Sequence, residues 1–262
     1  MPGNVLDQKP VRFFSWTNLK KAVRVDVSDG SRREFNVHHS VNIDSILFNN
    51  YTRRLWALDT DGTTLYRDFE VVGTGPDEAL VPVAAATAVI DQVANRAPIN
   101  GITLDPGLND NLAARLIWVS RGGGLCSCIE LRDPDAPKSE EVLGRFFPKS
   151  EPVDISIGPD GKRLWILADN GSDNPMVLIE RRLYGSPSKR AAAARNPTER
   201  FYVFDKEFRP SAIAAALDGV WLMVGPRQSD TGRQPGNRDK TYAILLEVDR
   251  LPRHLLSSWG SR

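Results

Sequence analysis

Three histidines, two cysteines and two arginine-rich stretches are the residues of this chain with the widest chemical reach. His38 and His39 are adjacent, so on a strand they point to opposite faces and cannot close on one ion, and His254 stands alone. Cys126 and Cys128 flank Ser127, which on a strand puts both thiols on one face with Cα atoms about 6.5–7 Å apart, the outer limit for a disulfide. No second pair or nearby histidine completes a ligand set, so two reduced thiols in a reducing compartment are expected. The sequence contains no His-Glu-x-x-His, no Gly-x-Ser-x-Gly and no Gly-x-x-x-x-Gly-Lys-Ser/Thr. Gly122-Gly123-Gly124 leads into an apolar run rather than a helix, so it lacks the helix N-terminus that would favour phosphate and reads as a hairpin turn.

The arginine-rich stretches suggest anion chemistry. Residues 181–200 hold Arg181, Arg182, Lys189, Arg190, Arg195 and Arg200 against Glu199; residues 226–240 hold Arg227, Arg233, Arg238 and Lys240 against Asp230 and Asp239. Such runs attract phosphates. A formal net charge of +1 over 262 residues argues against a dedicated nucleic-acid binder, which carries a strong basic excess. Ser186-Pro187-Ser188 and Asn196-Pro197-Thr198 are turn chemistry, so solvated loop insertions account for the charge without a ligand.

The elements that carry these loops repeat. Arg54–Leu58, Arg115–Val119, Arg163–Leu167 and Gly219–Val224 are each a short apolar run around a tryptophan, at Trp56, Trp118, Trp165 and Trp221. Continuous apolar runs of this length suit strands buried on both faces. Around the third run lie Val153–Ile157, the turn Gly158-Pro159-Asp160-Gly161-Lys162, a second turn at Asp169-Asn170-Gly171 and the strand Met176–Glu180. Asp-Gly supplies the positive φ of a tight hairpin. Asp61-Gly62 and Asp218-Gly219 mark the same plan elsewhere, and Val11–Trp16, Ala22–Val27 and Arg32–His38 are three further strand candidates. Alanines favour helix and valines strand over residues 79–97, which leaves that stretch open.

Pro152 to Leu167, with its strand, Pro-Asp-Gly-Lys turn and apolar strand, resembles a blade of the bacterial YVTN and WD40-like β-propellers. The other runs match in outline. The resemblance implies an all-β fold, a β-propeller of roughly four to five blades, with a β-sandwich as the alternative. One domain over residues 1–262 is expected, with insertions near 181–200 and 226–240. Tryptophan spacing is uneven, and a regular propeller repeat is about 40–50 residues, so two units carry insertions. The N-terminal strands sharing a blade with Leu251–Trp259 would close the ring.

In a four-stranded blade, loops after the second and fourth strands share one face, because antiparallel strands reverse at each turn. Residues 181–200 would follow a third strand and 226–240 a second, which splits the two basic loops between faces. The face bearing residues 226–240 would gather Arg121, Lys149, Arg209, Arg227, Arg233 and Arg238. With no catalytic set, the expected function is a non-catalytic interaction module that binds a protein partner through this face, without nucleic acid, membrane, metal or cofactor.

The alternative comes from the resemblance. Some similar propellers are metal-dependent lactonases or sugar-acid hydrolases that hold a divalent cation in the central channel with acids and asparagines. That implies Asp44, Asp105 and Asp154, in or beside the predicted innermost strands, as candidate ligands, although matching asparagines are not evident at equivalent places. Hydrophobic residues at 41% and charged residues at 26% indicate a globular chain. Asp7, Lys9 and Arg12 break up any export-signal core, and the longest apolar stretch, residues 79–90, falls short of the roughly 20 residues a membrane span needs. A cytoplasmic protein is expected.

Overall fold

A computed structural model of the chain describes residues 11–16, 21–26, 29–38, 42–49, 54–60, 62–89, 99–104, 117–121, 128–132, 140–145, 151–171, 173–183, 199–216, 219–224 and 242–247. These residues are all-β apart from two short 3₁₀ turns, Gly75–Asp77 and Ala84–Ala86. Among them no helix is long and apolar enough to cross a membrane. The chain divides into two compact units, Met1–Gln92 and Val93–Arg262.

The first unit contains β1 (Val11–Trp16), β2 (Lys21–Asp26), β3 (Arg32–Val37), β4 (Ile43–Asn49), β5 (Arg54–Asp59), β6 (Thr64–Tyr66), β7 (Phe69–Val72), β8 (Ala79–Pro82) and β9 (Thr87–Val89). The three N-terminal strand candidates fall on β1, β2 and β3. They join β8 and β7 in one sheet, ordered β1-β2-β3-β8-β7, while β4-β5-β6-β9 form a second. The chain thus leaves the second sheet after β6, adds a hairpin to the first through the parallel pair β3–β8, and returns as β9. Gly73, at φ 90°, is required in that hairpin: a Cβ there would run into the Asp77 carbonyl oxygen. Of the ambiguous stretch 79–97, residues 79–89 form β8 and β9 with the consecutive alanines Ala84–Ala86 in a 3₁₀ turn between them, and residues 90–97 lie outside the described residues.

The second unit contains β10 (Ile99–Leu104), β11 (Ile117–Arg121), β12 (Cys128–Arg132), β13 (Glu140–Arg145), β14 (Glu151–Ile157), β15 (Arg163–Asp169), β16 (Val177–Arg182), β17 (Glu199–Val203), β18 (Ala212–Ala215), β19 (Val220–Val224) and β20 (Tyr242–Leu246). They form three antiparallel meanders in chain order: β10–β13, β14–β17 and β18–β20. The middle sheet is buried on both faces. Ile155, Ile157, Leu164, Ile166 and Ile179 pack with Ile129 of the preceding sheet, and Trp165, Leu167, Leu178 and Tyr202 pack with Ile213, Val220 and Leu222 of the following one. A two-layer sandwich buries one face of each sheet, so this unit is not one. Each fully buried Leu, Ile or Trp here removes enough apolar surface to be worth about 1.5–3 kcal/mol.

The hairpin turns form as their glycines require. Gly161 sits at φ 64°, its N–H donating to the Gly158 carbonyl, and the Lys162 N–H donates to Asp160 Oδ1. Gly62 repeats this at φ 67° in the first unit. Gly219 is a different case: a Cβ would strike the Leu246 carbonyl oxygen of the neighbouring strand.

Candidate functional site

One register recurs in four sheets. The tryptophan of the second strand pairs with one residue of the first: Trp56 with Leu47, Trp118 with Thr103, Trp165 with Ser156 and Trp221 with Ala214. The residue just before is isoleucine every time, Ile46, Ile102, Ile155 and Ile213. Ahead of it, three of the four first strands carry a bulge, whose extra residue is Asp44 in β4, Asn100 in β10 and Val153 in β14. Asn100 therefore holds the register of Asp44. Unequal spacing hides this equivalence in the sequence: the segment joining β10 to β11 spans residues 105–116, that joining β4 to β5 only 50–53.

In the second unit the polar side chains of these first strands bridge sheet to sheet. The Ile157 N–H donates to Thr103 Oγ1 at 3.1 Å, and the Ala215 N–H donates to Ser156 Oγ at 2.9 Å. Hydroxyls at the tryptophan-paired position thus reach the residue one step further along the next first strand. Asp154, buried, takes the Ile155 N–H on Oδ1 and the Ile213 N–H on Oδ2, each at 2.8 Å. The Asn100 amide donates to the Pro152 carbonyl. Since Asp154 and Ser156 meet Ile213 and Ala215, two residues on for two residues on, β14 and β18 run side by side in parallel. These acceptors fill main-chain demand that would otherwise be buried unmet, at about 1–3 kcal/mol for each group.

This arrangement redefines the candidate ligands. Asp154 holds backbone with both oxygens. Asp44 occupies the β4 bulge, and Asp105 lies outside the described residues. Among the described residues no group of three His, Cys, Asp or Glu side chains is placed to hold a metal.

Of the six residues expected on a partner-binding face, Lys149, Arg227, Arg233 and Arg238 lie outside the described residues. Arg121 ends β11, paired with Ile99 and Cys128. Arg209, in the connection from β17 to β18, faces the turn after β15. Its guanidinium pairs with Asp169 and donates to the carbonyls of Asn174 at 3.0 Å and Gly171 at 3.5 Å. A loop after a second strand and a loop after a fourth strand therefore meet on one face.

Of the basic stretch 181–200, residues 181–182 end β16 and residues 199–200 begin β17, and residues 226–240 fall between β19 and β20. Arg181 and Arg200 do not contribute free charge to the first. Arg181, buried, donates through Nε to Glu199 Oε1 at 2.9 Å, and Arg200 lies 3.7 Å from the buried carboxylate of Glu180. Tyr202 also donates to Glu180, at 3.0 Å. Burial, and then the neighbouring Glu180 carboxylate, push the Tyr202 phenol above its ordinary value.

No family model and no curated protein matches the chain. Solved structures similar to it include a luciferin-regenerating enzyme, at 13% identity and a TM-score of 0.47, covering 84% of this chain and 67% of that one. A second is regucalcin from Agrobacterium tumefaciens, described as a calcium-binding protein, at 13% identity and a TM-score of 0.42, covering 83% of this chain and 64% of that one. The chain thus spans about two thirds of the length of either. The expectation of a non-catalytic module binding a protein partner is corrected here, since the similar structures are an enzyme and a calcium-binding protein.

Proposed function

We propose that the three sheets of the second unit are consecutive blades of a β-propeller, and that the chain is a hydrolase of the lactonase or sugar-acid type requiring a hard divalent cation. The parallel course of β14 and β18, with each meander running outward from such a first strand, supports the blade reading. The observation that carries the chemical reading is the repeated bulge. It sets an oxygen-bearing side chain, Asp44 or Asn100, at one register of a first strand, and places Asp154 directly after the third bulge. Bulges re-aim side chains and recur beside active sites. Carboxylate, amide and carbonyl oxygens are the donors that calcium takes.

The described carboxylates do not by themselves fit a cation, because Asp154 is committed to the Ile155 and Ile213 amides. Asp154 is thus a positioning residue, and no reaction step is assigned through a metal. In the second unit Asn100 is the candidate contact.

Elemental analysis and calcium titration of the purified protein, with a panel of sugar lactones followed by acid release, test the reading. Chelator-sensitive hydrolysis with one bound divalent cation is expected, lost in Asn100→Ala while the circular dichroism spectrum is unchanged. A protein that binds no hard cation and opens no lactone overturns it.

A further inference from the structure

The sequence contains two Asn-Gly dipeptides, Asn100-Gly101 and Asn170-Gly171. This pairing is chemically labile because a glycine amide nitrogen, unshielded by a Cβ, can reach the preceding Asn Cγ. The two sites differ sharply. Gly101 is buried and paired with Ser120 in the β10–β11 ladder, and the Asn100 amide is tied to the Pro152 carbonyl across to the next sheet. Strand pairing and this bond restrain the main-chain movement that ring closure needs. Gly171 is exposed, in the left-handed region at φ 94°, in a turn with open space around its Cα.

Hydrogen bonds restrain the exposed pair, among them one from the Asn174 main-chain N–H to the Gly171 carbonyl at 3.1 Å. The Gly171 N–H, the group that must lose its proton to become a nucleophile, donates to Asp169 Oδ1 at 2.8 Å. The Asn170 side-chain amide donates to the Pro175 carbonyl at 3.1 Å, and the Asn170 carbonyl accepts from the Asn174 amide at 2.9 Å. Arg209 holds the same Oδ1 of Asp169 and the Gly171 carbonyl. A carboxylate that accepts an N–H opposes its ionisation, because the amide anion would form beside a negative charge. Arg209 keeps that carboxylate in place by a charge-assisted bond.

We infer that Asn170-Gly171 is a self-modification site of this protein, restrained by the Arg209–Asp169 pair. When the pair opens, Gly171 N bonds to Asn170 Cγ and the Cγ–Nδ2 bond breaks. Ammonia leaves with the former Gly171 proton, giving a succinimide. Water then opens the ring to aspartate or isoaspartate at position 170. The product adds a negative charge beside Asp169 and Asp173, and the isoaspartate form lengthens the main chain of the turn by one carbon.

Peptide mapping by mass spectrometry during incubation at mildly alkaline pH tests this, with isoaspartate detected enzymatically. A gain of one mass unit is expected at Asn170 and not at Asn100, slow in the wild-type protein and several-fold faster in both Arg209→Ala and Asp169→Asn. Asn170→Gln should abolish it. Modification of Asn100 at a matching rate, or no acceleration in Arg209→Ala, overturns the inference. So does slower reaction in Asp169→Asn, which would make the carboxylate a general base rather than a restraint. The Asp169→Asn variant retains a side-chain acceptor for the turn, so it keeps the test available if Arg209→Ala fails to fold.

Discussion

The sheets β14–β17 and β4-β5-β6-β9 carry the same isoleucine–tryptophan register, yet they are built differently around it. In β14–β17 the four strands follow one another directly, and its first strand bridges to its neighbours through Asp154 and Ser156. In β4-β5-β6-β9 the last strand arrives only after a hairpin has been lent to another sheet, and Leu47 stands where Ser156 stands. A leucine can accept no N–H. The shared register is therefore a matter of apolar packing, and among the described residues a hydroxyl bridge from the tryptophan-paired position is seen in the second unit alone.

Removal of the shared element should have the largest effect. Trp165→Ala and Trp56→Ala are each expected to cost about 3–5 kcal/mol in chemical denaturation, because both side chains are buried. A loss confined to one of them would break the equivalence of the sheets. The polar bridge comes next. Asp154→Ala should cost about 1–3 kcal/mol by stranding the Ile155 and Ile213 N–H groups, whereas Ser45→Ala, at the same register in β4, should cost less. Equal losses in the same denaturation experiment would mean that both sheets depend on a bridge.

The buried phenol gives β14–β17 a pH dependence. Its raised pKa means that the folded state favours the protonated Tyr202, so this contribution is complete below the ordinary value near 10 and is lost as pH rises through the raised one. Stability measured on alkaline titration should fall less steeply in Tyr202→Phe. The smallest effect is expected from deleting residues 186–195. The strand ends on either side are fixed by the pairs Arg181–Glu199 and Arg200–Glu180, so the melting curve should change by less than about 0.5 kcal/mol.

Strands and turns were legible from the sequence because their signals are local. Gly161 and Gly62 announce turns, and continuous apolar runs announce strands buried on two faces. The register of Asn100 was not legible, because a bulge is visible only once partner strands are aligned. Nor was the commitment of Asp154, whose partner Ile213 lies 59 residues away. A carboxylate on an inner strand reads equally as a ligand or as a bridge until that partner is known. The role of Arg209 was hidden likewise, since its acceptors lie on another turn.

The hairpin lent by one sheet to the other in the first unit has a consequence for how that unit assembles. The strands β7 and β8 that complete one sheet lie between β6 and β9 of the other, so the two sheets are interleaved along the chain. The strands of the first unit are therefore expected to gain and lose order together. The meanders of the second unit can form one hairpin at a time from neighbouring residues, in the manner of a repeat protein whose units add in sequence. Hydrogen exchange under mild denaturant would then show one shared opening for the first unit and graded protection across the second.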